Sequence, residues 1–193
     1  MDRRIMIENH LLSLSRAMEH TRPQLNTIRS WGHMLAGRLG SGGRLLVCGN
    51  GGSAAEAQHL TAELVGRFRD ERQPLSAIAL HAETSSLTAI VNDYGNEEIF
   101  ARGVRAHGRD GDVLLALSTS GASRNVLAAV KAAREQNMVP WALTGPAPNP
   151  LAASCDDAVS VEARSVATVQ EMHLVLIHAL CASIDEVLVG PQS

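Results

Sequence analysis

Hydrophobic positions along the chain change period several times, and each change marks an element. Between Ile5 and Met18, the apolar residues Ile5, Leu11, Leu12, Leu14 and Met18 recur at roughly helical spacing. Pro23 opens a second helical pattern through Ile28, Trp31, Met34, Leu35 and Leu39, which Gly40-Ser41-Gly42-Gly43 ends. Two helices ahead of any strand predict a hairpin or an oligomer interface. From Arg44 onwards, short apolar runs alternate with helical patterns. Strands are predicted over 45–48, 76–80, 113–117 and 139–143, with a less apolar fifth over 158–161. Helices are predicted over 53–66, 86–91, 97–106, 123–136 and 168–188, and residues 144–150 read as a loop. Strands separated by crossover helices predict an α/β fold: a doubly wound, parallel, five-stranded sheet covered on both faces, with an N-terminal helical extension. One domain is expected over residues 1–193, with helices over 1–40 used in oligomer packing and an α/β core over 44–189.

Composition narrows the function classes. The chain has 193 residues, 45% of them hydrophobic and 19% charged, which fits a packed globular domain rather than a disordered tail. A net charge of −3 argues against a nucleic-acid partner. Arg67, Arg69 and Arg72 cluster, but Asp70 and Glu71 interrupt them, so the group reads as a solvated helix end. Cys48, Cys155 and Cys181 lack any CxxC spacing, and Cys48 and Cys181 sit in apolar runs as small core residues. A reducing, cytoplasmic setting is therefore expected. Met1-Asp2-Arg3-Arg4-Ile5 is too polar for a secretory signal, and no apolar run is expected to span a membrane.

Four constellations can carry chemistry. Leu45–Cys48 breaks at Gly49-Asn50-Gly51-Gly52-Ser53 and continues into an Ala-rich helix. A strand, a glycine turn and a helix N-terminus present backbone N–H groups and a dipole that favour an anion such as phosphate. The turn lacks the lysine of a nucleotide-binding P-loop and the full GxGxxG of dinucleotide sites, and as a plain turn it needs no ligand. A second strand end, Leu117-Ser118-Thr119-Ser120-Gly121-Ala122-Ser123, offers four hydroxyls beside another helix start. Ser123 there is placed to cap its helix. Two such turns at the carboxyl ends of parallel strands face one crevice, and together they favour a phosphate ligand. His59 and Glu63, four residues apart, share a helix face two turns beyond the first glycine loop, as a metal half-site, an acid–base couple or a surface pair. In the last helix, Glu171 and His173 fit the solvent face, whereas His178 sits among Ile177, Ala179 and Leu180. Gln170 and His178 lie eight residues, about 12 Å, apart, so one ion reaches both only through extended side chains or a second subunit.

Gly49-Asn50-Gly51-Gly52-Ser53 with His59 and Glu63, then Asn92-Asp93, Ser118-Thr119-Ser120-Gly121, and Gln170-Glu171 with His178 resemble the bacterial phosphoheptose isomerases of the sugar-isomerase (SIS) fold group. The resemblance runs in order over nearly the whole chain. It implies an SIS-type sheet and one zinc ion per subunit, held by His59, Glu63, Gln170 and His178. It implies a sugar phosphate bound by Asn50, Gly51, Gly52, Ser53, Glu63, Asn92, Asp93, Ser118, Thr119, Ser120, Ser123 and Gln170. Glu63 is then the general base and His178 the general acid. The implied reaction turns sedoheptulose 7-phosphate into D-glycero-D-manno-heptose 7-phosphate, in a homotetramer with sites at subunit interfaces. The segment Ser165-Val166-Ala167-Thr168-Val169 departs from the family, which usually carries a polar or charged residue near 167–168. Two other functions occur around the same fold: a non-catalytic adaptor for the bacterial replication initiator, and a phosphosugar sensor. Retention of Gly52, Glu63 and His178 argues for the enzyme over the adaptor.

Overall fold

A computed structural model describes residues 3–190. Met1, Asp2 and residues 191–193, the outermost part of the expected domain, lie outside the described residues, as do the side chains of Arg3, Arg4 and Ile5. Helix α1 (Arg3–Thr21) passes through a 3-10 turn at Arg22–Gln24 into α2 (Leu25–Gly40). The core then runs β1 (Leu45–Cys48), α3 (Gly52–Val65), β2 (Ala77–Ala79), α4 (Thr84–Tyr94), α5 (Glu98–His107) and β3 (Val113–Ser118). It continues through α6 (Arg124–Glu135), β4 (Val139–Thr144), α7 (Pro150–Ser154), β5 (Asp157–Ser160) and α8 (Val166–Leu188).

All five strands are parallel, in the order β2-β1-β3-β4-β5. Side chains alternate across the sheet with period two, which decides the two cores. Leu45, Val47, Val113, Leu115 and Leu117 face α2, α3 and α8, while Leu46, Cys48, Leu114 and Ala116 face α5, α6 and α7. Both faces are covered, so β1 and β3 are buried at every position. Trp31 of α2 stacks on Trp141 of β4 with centroids 4.8 Å apart, and its indole N–H donates to Asp157 at 2.8 Å, tying the helical extension to the sheet.

Two expectations need correction here. Residues 144–150 are not loop throughout: Asn149 accepts from the Ala152 N–H and Pro150 takes the first helical position, a start signal that opens α7. The 23-residue α8 is long and apolar enough to cross a membrane, with a mean hydropathy of 1.3. It is nevertheless a core helix, burying Met172, Leu176, Ile177 and Leu180 against the sheet-side core it shares with α2 and α3.

Candidate functional site

Strand order reverses between β1 and β3, because the chain leaves β1 towards β2 on one side and returns to β3 on the other. Such a switch point leaves a crevice at the carboxyl ends of the two strands. Both glycine turns open into it. Asn50, Ser53, Leu117, Ser118, Thr119 and Ser123 line a cavity of about 70 Å³ there. Gly51, at φ +57°, takes the cap position of α3 and supplies no side-chain acceptor to its first N–H groups. Ser123 does stand at the start of α6, but its hydroxyl makes no cap bond; it lies 3.2 Å from the Ser118 hydroxyl instead. The Ser118 hydroxyl also accepts from the Gly121 N–H, and that of Ser120 from the Ala122 N–H. These hydroxyls are arranged around the crevice rather than spent on the helix, which suits an anion.

Asn125, which sequence reasoning missed, joins the two turns. Its amide and that of Asn50 exchange two hydrogen bonds of 2.9 and 2.8 Å. Its place two residues after Ser123 was the available signal. Asn92 and Asp93 do not line the cavity: they are exposed on α4, where the Asn92 amide donates to the Asp93 carboxylate at 2.7 Å.

The far end of α3 carries the second group. His59 Nε2 lies 2.9 Å from His178 Nε2 and 3.3 Å from Glu63 Oε1, and ligand atoms of all three residues fall within 4.8 Å of one another. Two imidazoles and a carboxylate are a borderline-soft N₂O donor set suited to zinc. Their side chains are half-buried, open enough for a ligand to reach. Phe68 packs its ring 5.7 Å from that of His178. Gln170 forms no hydrogen bond with the three; its amide packs on Gly52, where an added Cβ would overlap it. The last helix therefore touches both ends of α3.

Two buried groups and a half-buried one surround that arrangement, and the two buried ones correct the expectations from sequence. Arg72 is not part of a solvated helix end. Its side chain is 3% exposed, donating to Asp185 at 2.8 Å and to the carbonyls of Leu64 and Glu63 at 3.0 and 2.8 Å. His173 is not on a solvent face but fully buried, its Nε2 3.1 Å from the Thr144 carbonyl and its Nδ1 3.5 Å from Glu56. Glu171 is half-buried and bonded to His10 of α1 at 2.8 Å. Burial, reinforced by the Glu63 and Asp185 carboxylates, pushes the Cys181 thiol up to about 12, so it is no thiolate nucleophile. Burial raises Cys48 further still.

Residues 9–145 match the family model of the SIS domain. The chain is 60% identical over 182 residues to the phosphoheptose isomerase of Streptomyces coelicolor, covering 94% of this chain and 79% of that relative. It superposes on the phosphoheptose isomerase GmhA from Neisseria gonorrhoeae with a TM-score of 0.88 at 42% identity, covering 95% of this chain and 98% of that one. The phosphoheptose isomerase from Francisella tularensis gives 0.91 at 37% identity, covering 96% and 100%.

Proposed function

Because the chain belongs to the phosphoheptose isomerases, a family built on the SIS domain, we propose that it converts sedoheptulose 7-phosphate into D-glycero-D-manno-heptose 7-phosphate. One observation carries the reading: a single helix, α3, begins at the anion cradle and bears His59 and Glu63 two to three turns later, facing His178. A sugar phosphate spans that distance with its phosphate at one end and its carbonyl at the other.

The phosphate sits among Asn50, Gly51, Gly52, Ser53, Ser118, Thr119, Ser120 and Ser123, and Asn92 and Asp93 serve the sugar. The Glu63 carboxylate takes the proton from C1 of the open-chain ketose, and His178 protonates the C2 oxygen. Return of a proton to C2 and loss of one from the C1 hydroxyl complete the aldose through an enediol. Zinc, one per subunit, would be held by His59, Glu63 and His178, with Gln170 as a fourth ligand once its amide swings away from Gly52, and would polarise the carbonyl and hold the open-chain sugar. One domain spans the chain and works in the cytoplasm as a homotetramer with sites at subunit interfaces. Apolar surface supports the assembly: Ile7, Leu11 and Leu12 of α1 are exposed, and Met18 lines a groove with Leu25, Met172 and Val175.

The test is turnover of sedoheptulose 7-phosphate by the purified protein. Activity is lost with a zinc chelator and returns with zinc, and Glu63→Gln lowers kcat by about 10²–10⁴-fold with fold intact. Binding of the sugar phosphate without turnover identifies a sensor, and neither binding nor turnover an adaptor; either result overturns the proposal.

A further inference from the structure

Between the Gly52–Gln170 contact at one end and the His59–His178 contact at the other, the buried layer joining α3 and α8 is apolar except at one place. Ala57, Leu60 and Leu64 of α3 and Met172, Leu176 and Ile177 of α8 belong to one core, and Glu56 and His173 are buried in the same layer. A carbonyl oxygen only accepts, so the His173 nitrogen 3.1 Å from Thr144 O bears the N–H, and that nitrogen is Nε2. A neutral ring then presents a bare lone pair at Nδ1. That lone pair faces Glu56 Oε2 at 3.5 Å, and neither atom has another partner or any contact with solvent. Two acceptors confronted in a dry, low-dielectric layer repel, unless a proton lies between them.

We propose that Glu56 and His173 share a buried proton and act as positioning residues. Resting on the isomerase reading above, the pair sets the rotation and depth of α3 against α8. That one setting fixes both ends of the site. Glu56 stands between the glycine turn and His59 on α3, and His173 between Gln170 and His178 on α8. Through Thr144, whose hydroxyl accepts from the Asn149 amide at 3.2 Å, the pair also reaches the loop behind the hydroxyl-lined turn. Apolar contacts hold the helices together with little directional preference; a buried directional bond, set deeper than the half-exposed His59–His178 contact, adds one.

The experiment compares full-length wild type with Glu56→Leu and Glu56→Gln. The first removes the shared proton. The second keeps shape and supplies an amide N–H to a neutral His173. Zinc titration without sugar is expected to show about tenfold weaker binding in Glu56→Leu, with kcat/KM reduced in parallel and the melting temperature little changed. Glu56→Gln is expected to restore both within about twofold. Wild-type zinc affinity and kcat/KM in Glu56→Leu overturn the proposal, as does a Glu56→Gln variant as impaired as Glu56→Leu. Proton NMR of histidine-labelled protein needs neither metal nor substrate. It is expected to show a slowly exchanging, downfield proton on His173 Nδ1 in wild type and none there in Glu56→Leu, while the Nε2 proton held by the Thr144 carbonyl stays in both. Absence of the Nδ1 proton from wild type overturns the pair even if turnover is confirmed, while its presence in a protein without turnover leaves the pair standing and the isomerase reading overturned.

Discussion

The two glycine-bearing turns look alike in sequence, each a buried strand running through Gly and Ser into a helix, but the fold ties them to different things. At the first, Gly52 is the opening residue of α3 and its missing Cβ is the space that the Gln170 amide fills. At the second, Gly121 holds φ +60° between the hydroxyls, and its missing Cβ is the space that the Asn149 amide fills. Asn149 belongs to the loop that starts α7 and bonds Thr144. The first turn is thus coupled to the helix that carries His178, the second to the scaffold around β4. Both glycines make room for a neighbour's amide, but only Gly121 also meets a conformational need, and the tertiary partner decides what each amide is tied to.

Alanine at each position separates the two. Gly52 has helical backbone, so Gly52→Ala suits the helix and changes stability little, by no more than about 1 kcal/mol. The methyl group displaces the Gln170 amide, and a misplacement of that size costs about 10²-fold in kcat/KM. Steady-state kinetics and a melting curve on the same sample check both halves; unaltered kinetics would break the link between this turn and α8.

Gly121→Ala has the opposite profile. An L-residue at this positive φ costs about 1–2 kcal/mol. Displacing Asn149 from its cap of α7 adds about 1 kcal/mol. Together about 2–3 kcal/mol is lost, and the melting temperature falls by roughly 5–10 °C for a chain of this size. A Gly121→Ala protein that melts with wild type would show that the loop relaxes around the methyl group, and the two turns would then differ less than their contacts indicate.

The fold was legible because strand and helix periods alternate cleanly from Leu45 onwards, and because Gly, Pro and Ser punctuate the joins. Deviations were of one to three residues at an element's ends: the strand expected over 76–80 is Ala77–Ala79 and the helix expected over 86–91 is Thr84–Tyr94. His59 and Glu63 were legible as a pair because helix geometry places i and i+4 together, and His178 because a lone imidazole stood in an apolar run. Period fails where a helix is apolar all round. On α8 it gives no solvent face, so His173 was assigned to one although it lies fully buried. Arg72 failed for a different reason: its partner Asp185 is 113 residues away, and local charge pattern carries nothing about such pairs. Asn125 and Asn149 are likewise defined by what they meet across the crevice.

The smallest effect comes from the helix starts themselves. Glu83, Asn149 and Ser165 accept from backbone N–H groups at the beginnings of α4, α7 and α8. At α3 and α6, whose starts face the crevice, Gly51 has no side chain to offer and Ser123 turns its hydroxyl to Ser118. An ordinary N-cap serine or asparagine replaced by alanine loses about 1 kcal/mol, and Asn149→Ala is expected to lose at least that. Ser123→Ala removes no cap bond, so its stability should stay within about 0.5 kcal/mol of wild type, the usual range for a change that breaks no such feature. The hydroxyl's loss should instead appear as weaker inhibition by inorganic phosphate, by about tenfold, the lower end of the roughly 1.5–3 kcal/mol that one hydrogen bond to a charged group contributes. Chemical denaturation of the two variants beside phosphate inhibition of Ser123→Ala makes the distinction. A Ser123→Ala protein destabilised as much as Asn149→Ala would mean that its hydroxyl serves the helix after all, and the uncapped start of α6 would cease to mark a ligand.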